Sequence, residues 1–220
     1  MPSENARGKK HGWTLPQTQA VQAWLIDQVR WRDLALIMLG IDSLYRSIDL
    51  RHQRFDDVVD VHGNIRSRII HGQQKTGRTV ESVLSVPTRQ ALAHWITLSG
   101  KQSGHYLFTH LTERSDIPPN TPITRNALAD IIKQCSSAIG LDPARYSTKT
   151  LRRTRTQAIL EKADGDFRVP RDLLGHADIR STIHYFDFDR ERALQISEDV
   201  KFFTPLPETM AAKLPAKASR

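Results

Sequence analysis

The 220-residue chain has one cysteine, Cys135, so no internal disulfide can hold the fold and a reducing interior suits it. No apolar stretch approaches the roughly 20 residues that a membrane helix needs, which argues against an integral membrane protein. The start, Met-Pro-Ser-Glu-Asn-Ala-Arg-Gly-Lys-Lys-His-Gly, has no apolar core of a signal peptide, so secretion is not expected. Aromatic residues make up only 7%, and Trp13, Trp24, Trp31 and Trp95 read as core or helix-packing anchors rather than base-stacking platforms. There is no internal repeat and no Gly-rich loop of the P-loop or dinucleotide type. Asp49, Asp56, Asp57 and Asp60 cluster in sequence, but no His or Glu joins them at a ligand spacing. The expectation is a protein that needs neither a metal nor a nucleotide cofactor.

What the chain does have is positive charge. Its net charge is +8, which favours a polyanionic partner and speeds encounter with it. With 39% hydrophobic and 25% charged residues, the composition is that of an ordinary globule large enough for a sizeable core. Residues 1–11 read as a basic disordered arm, 12–203 as one domain and 204–220 as a flexible tail. Thr14 and Pro16 mark a helix start, and Val21, Trp24, Leu25 and Val29 keep a helical period. Residues 31–40 and the stretch from Ser43 to about Arg51 read as two further helices. Val58 to Val61, Ile65 to Gly72 and Thr79 to Val86 are rich in β-branched residues, with Lys75-Thr76-Gly77-Arg78 as a hairpin tip. Pro87 ends this sheet and Thr88 caps a helix through Ile96. Thr124 caps a helix of about 125–139 closed by Gly140, and another helix covers about 150–162. Pro170 opens a short helix ended by Gly175, and the helix after it carries Tyr185. The fold class is α+β, mainly helical, with a small three-stranded antiparallel sheet.

One set of residues carries chemistry. Phosphodiester exchange without a metal needs a nucleophile, fixed positive charge at the non-bridging oxygens and an acid for the leaving hydroxyl. Arginine suits the second role, because its planar fork stays charged and can hold two phosphate oxygens. Tyrosine suits the first and a desolvated lysine the third. The chain offers Arg46 in Leu-Tyr-Arg-Ser-Ile-Asp-Leu, Lys75 in Gln-Gln-Lys-Thr-Gly-Arg, Lys149 and Arg152 in Lys-Thr-Leu-Arg, His176 in Leu-Leu-Gly-His, and Tyr185. Singly, each has a simpler reading. Arg152, Arg153 and Arg155 could form one charged helix face with acidic partners, His176 could be a helix-end histidine, and Tyr185 could be a core aromatic beside Phe186 and Phe188. Their order and the steps of 24 and nine residues from Arg152 to His176 to Tyr185 argue for one joint site.

In that order and spacing the residues resemble the catalytic boxes of the tyrosine recombinase, or phage integrase, family. The resemblance covers about residues 14–198. It implies a tyrosine-recombinase catalytic domain in which Tyr185 attacks a DNA phosphodiester to leave a 3′-phosphotyrosyl link. Arg46 and Arg152 would hold the non-bridging oxygens, Lys75 would protonate the 5′-oxygen, and His176 would hydrogen-bond the phosphate. Two positions depart from the pattern. The family glycine just before the first arginine is replaced within Leu44-Tyr45, and Lys149 stands where the family has histidine, as in the related type IB topoisomerases. Lys149 would add charge or assist proton transfer. His184 next to Tyr185 points about 100° away on a helix and is a poor substitute base. The implied partners are double-stranded DNA and, by analogy, a homotetramer on two DNA sites, with no membrane. The implied location is the cytoplasm, on the nucleoid. Relatives carry a helical DNA-clamping domain before the catalytic one, and the short stretch before Arg46 leaves no room for it. Asp189 to Phe203 is expected to pack either on a neighbouring subunit or on its own domain. Two rivals stay open: DNA relaxation of the type IB kind, and a DNA-binding accessory protein without catalysis.

Overall fold

The computed structural model describes residues 10–74, 76–111 and 116–183. They fall in the first of the two units into which the chain divides, Met1–Phe186; the second, Asp187–Arg220, lies outside the described residues. Lys75, His184 and Tyr185 also lie outside them, as do residues 1–9 and the expected subunit-packing segment and tail.

Local chemistry sets several helix starts. Helix α1, Leu15–Asp27, begins in a capping box: the Gln17 amide donates to Thr14 Oγ1 (3.4 Å) and the Thr14 amide to Gln17 Oε1 (2.9 Å). Helix α2, Trp31–Ser43, is the centre of the molecule, with Leu34, Ala35, Leu36, Ile37 and Leu39 buried. It packs on α1, on the short α3 (Ser47–Arg51), on α5 (Val86–Ser99), on α7 (Thr150–Lys162) and on strand β2 (Thr79–Val83). The cap of α5 is Ser85, whose Oγ accepts from the Thr88 amide (3.4 Å), rather than Thr88 itself. Pro87 is tolerated in the first turn, where no helical donor is needed, and the Thr88 hydroxyl is spent on Asp42 Oδ2 (2.7 Å). Helix α6, Arg125–Ala138, starts at Thr124 as expected, and Gly140 at φ +77° closes it with Leu141 N donating to Ser136 O (2.9 Å). Helices α8 (Arg168–Leu173) and α9 (Ile179–Ile183) complete the described α-helices, with α4 (Phe55–Val58) between α3 and the sheet.

The sheet is a correction to the expectation of three strands. Among the described residues it has two, β1 (Arg68–Gly72) and β2, antiparallel with Ile70 opposite Glu81 and Gly72 opposite Thr79. Val58 ends α4, because the Asp57 carboxylate caps the Arg54 amide (2.7 Å) and winds that stretch into a helical turn. Only Val59 pairs further, in one isolated bridge to Ile65. Val61 is almost fully exposed, since the turn at Gly63 reverses the chain before a ladder can grow.

Of the segment expected as an arm, Lys10 and His11 are described. The His11 amide donates to Arg145 O (2.9 Å) and its ring meets Arg145 Nη2 (2.8 Å). Trp13 then bridges two helices, its amide donating to Thr154 Oγ1 of α7 (2.8 Å) and its indole to Ser136 Oγ of α6 (3.1 Å). Gly12 fits between because a Cβ there would sit 2.8 Å from the Thr154 amide nitrogen. Trp95 is likewise a core anchor, and Cys135 is buried, its thiol pushed up to about 12 by desolvation. No helix of the described residues is long and apolar enough to cross a membrane.

Candidate active site

Three separate parts of the chain deliver the expected charged groups to one cleft. Arg46 caps α3 in an extended conformation, straight after Leu44 turns the chain through φ +57°. That left-handed position is where the family pattern has glycine, so the structure explains the pattern and shows leucine tolerating it. The Arg46 Nη1 donates to Gln73 Oε1 at the end of β1. One helical turn on, Asp49 is buried and its Oδ1 accepts from the Gln74 amide (3.1 Å), with His71 Nε2 at 3.2 Å. Burial alone would raise the Asp49 carboxyl, but His71, the Gln74 amide and the Arg46 charge outweigh it and hold the group below its ordinary value. Asp49 therefore pins the hairpin at the residue before Lys75.

The second contribution comes from α7. Arg152 is only 3% exposed and its Nη2 donates to Leu174 O (3.2 Å) and to His176 Nε2 (3.1 Å). Arg155 pairs with Asp42 across 3.7 Å, so the charged-face reading describes Arg155, while Arg152 and Arg153 turn inward and are buried. Lys149 is the exposed cap residue of α7, at the edge of the same cleft.

The third is the turn after α8. Gly175 has φ +65°, and a Cβ on it would lie 2.7 Å from Val80 Cγ1, so glycine is required twice over. The turn presents His176, whose Nδ1 meets the buried Thr182 hydroxyl (3.0 Å). Because Nε2 accepts from Arg152, the neutral ring carries its proton on Nδ1 and donates it to Thr182. Burial, then the charges of Arg152, Arg46 and Arg78, push the imidazole down to about 4.

The cleft bounded by these elements has a volume of about 540 Å³ and, among the described residues, four cations on its border, Arg46, Arg78, Lys149 and Arg153, against one acid, Asp178. Such a site suits a phosphate group with its oxygens held by guanidinium forks. The structure thus brings together Arg46, Lys149, Arg152 and His176 of the expected set; Lys75 and Tyr185 fall outside the described residues. Gln73, Thr182, Arg78 and Arg153 were not singled out as site residues. Gln73 was within reach of a period-2 count, which puts it on the inner face with Ile69 and His71; Arg153 follows Lys149 by one helical turn and shares its face. Of the acidic residues weighed as metal ligands, Asp56 accepts from Gly104 N of a distant loop (2.8 Å) and Asp60 closes a turn by accepting from the amides of His62 and Asn64 (2.9 Å each).

Comparison with known proteins agrees with this architecture. The sequence pattern of the phage integrase family matches residues 17–192, and the chain belongs to that family. It is 33% identical over 108 residues to the tyrosine recombinase XerC of Erythrobacter litoralis, an overlap of 49% of this chain and 32% of that protein. Its fold is similar to XerH site-specific recombinase bound to palindromic difH substrate (TM-score 0.68, 16% identity, 85% of this chain and 52% of that one). It is also similar to XerA recombinase (TM-score 0.67, 16% identity, 87% and 66%) and to a lambda integrase dimer bound to a core site (TM-score 0.60, 16% identity, 81% and 48%). The chain spans about a third of the XerC relative's length and about half of XerH's.

Proposed function

We propose that this chain supplies the catalytic domain of a site-specific DNA recombinase that cuts and rejoins duplex DNA through a 3′-phosphotyrosyl intermediate. The observation that carries the reading is the convergence of Arg46, Lys149 and His176, from three distant stretches of sequence, on one basic cleft, with Arg152 hydrogen-bonded to His176 behind its wall. In this reading the Tyr185 oxygen attacks phosphorus, the P–O5′ bond breaks, and its electron pair leaves on the 5′-oxygen, which takes a proton from Lys75. Arg46 and Arg152 offset the charge that builds on the non-bridging oxygens, where preorganised donors act most strongly. His176 Nδ1–H is committed to Thr182 and its Nε2 accepts from Arg152, so the neutral ring acts by orienting the Arg152 guanidinium rather than by donating to the phosphate itself. Lys149 adds charge or assists the loss of the tyrosine proton. Double-stranded DNA is the substrate, four protomers on two sites complete an exchange, and the setting is the cytoplasmic nucleoid.

Lys149 in place of histidine favours two further readings, relaxation of DNA by a lone protomer and DNA binding without cleavage. Covalent trapping separates them. The protein is incubated with nicked suicide duplexes drawn from its own genomic surroundings, without metal, and run on a denaturing gel. A protein–DNA band that vanishes in Tyr185→Phe supports cleavage, and dependence on two matched sites then favours recombination over relaxation. Absence of the band on DNA that the protein binds overturns the catalytic reading in favour of the accessory one.

A further inference from the structure

A neutral amide lies buried behind the cleft wall. Gln73 is 4% exposed, and both ends of its side-chain amide are taken up by protein groups. Its Oε1 accepts from Arg46 Nη1 and from Thr76 Oγ1 (2.8 Å), and its Nε2 donates to Leu174 O (3.0 Å). The two ends of the amide are thereby assigned, since Oε1 faces two donors and Nε2 faces a carbonyl. Leu174 O also accepts from Arg152 Nη2 (3.2 Å), so one carbonyl receives both Gln73 and Arg152. The backbone of Gln73 adds a third tie: its amide donates to Arg78 O (2.8 Å) and its carbonyl accepts from Gly77 N (2.8 Å), closing the turn that includes Lys75 in sequence. A strand end, the start of α3 and the turn before His176 thus meet on one side chain.

We infer that Gln73 is a positioning residue for the reaction, holding the Arg46 guanidinium and the Leu174–His176 turn at a fixed separation across the cleft. No other uncharged side chain keeps both an acceptor for Arg46 and a donor for Leu174 O at this reach: methionine has neither, and glutamate would set a carboxylate against the carbonyl. The role rests on the proposed reading of the cleft as the phosphate site. Misplacing a preorganised group by about 1 Å costs on the order of 10²-fold in rate, so loss of the tie should act on the chemical step and spare ground-state binding.

The test compares wild type with Gln73→Met, close in shape and without the hydrogen bonds. Two readouts are taken: the rate of covalent adduct formation on saturating suicide duplex, beside duplex affinity, and titration of His176 by NMR. The expected result is cleavage slowed about 10- to 100-fold with affinity within about twofold of wild type. In the same variant the His176 titration rises from about 4, because the Arg46 charge, one of the causes that hold it down, is no longer fixed at the cleft wall by Gln73. Cleavage within about twofold of wild type together with an unmoved His176 overturns the inference, as does a rate loss matched by an equal loss of DNA affinity. If wild type forms no Tyr185-dependent adduct, the proposed reaction fails, and the His176 shift alone then decides the positioning role. Should Gln73→Met not fold, Thr76→Val takes its place: it removes one of the two donors to Gln73 Oε1 from an exposed position and is expected to move both readouts the same way by a smaller amount.

Discussion

His176 is a site residue whose surroundings alter its chemistry. An ordinary imidazole takes its proton near 6.5, whereas burial and three guanidinium groups hold this one near 4. The sign of the linkage follows. Between those values the unfolded chain binds a proton that the folded chain refuses, so folding is favoured fully above about 6.5, loses ground as the pH falls toward 4, and loses no more below it. Urea unfolding measured across this window should show stability falling with pH in wild type and a shallower fall in His176→Asn; equal slopes would assign the titration to other groups. The half-exposed setting of the ring screens the effect, so the difference is modest. The same residue marks how much of the site was legible in the sequence. The spacing from Arg152 to His176 survives as a 3.1 Å contact, and Lys149 reaches the cleft. Gln73, Thr182 and Arg153 did not stand out, because a buried amide, a hydroxyl and a second arginine carry no motif and gain meaning only from partners distant in sequence, such as Leu174 for Gln73.

At the scale of elements, caps were legible and ends were less so. Thr14 and Thr124 declare themselves through a side-chain oxygen facing an amide three residues on, a purely local event. The third strand failed because Val58-Val59-Asp60-Val61 has β-branched content that a capped helical turn and a single bridge accommodate equally well. Val29 is a second case. It keeps the helical period of α1 yet sits beyond that helix at φ +55°, with Arg30 N donating back to Leu25 O (2.9 Å), the left-handed closing position that glycine favours. At 65% exposure its methyl groups bury little to offset the conformation. A left-handed non-glycine residue costs roughly 1–2 kcal/mol, and glycine gives back part of that gain through the freedom of the unfolded chain. Val29→Gly is expected to raise stability by about 0.5–1 kcal/mol, read as a melting temperature higher by roughly 1–4 °C. A lower melting temperature would mean that the valine packs more usefully than its exposure indicates.

For the whole molecule, the net charge of +8 matters less than where the fold puts it. The start of α3, the hairpin tip and the first turn of α7 each turn cations onto the border of one cleft, so four cations from three distant stretches of sequence meet on one basic surface. If DNA lies across that surface, each cation that meets a phosphate releases condensed counterions, and binding weakens with salt at a slope of roughly −0.9 per contact. Arg78 and Lys149 are the exposed members, Arg78 leaning on Gly175 O (3.4 Å) and Lys149 opening α7, so either can be shortened without disturbing the core. Arg78→Ala and Lys149→Ala should each flatten the plot of log K against log salt by about 0.9. The double variant should flatten it by about twice that, with unchanged melting temperatures. Positions on a scattered basic surface would behave differently: binding would fall slightly in each variant while the slope stayed at its wild-type value, and the backbone would then have to follow another face. A slope that drops for Lys149 but not for Arg78 would set the DNA path along α7 and away from the hairpin, which fixes the side of the cleft from which a phosphodiester enters.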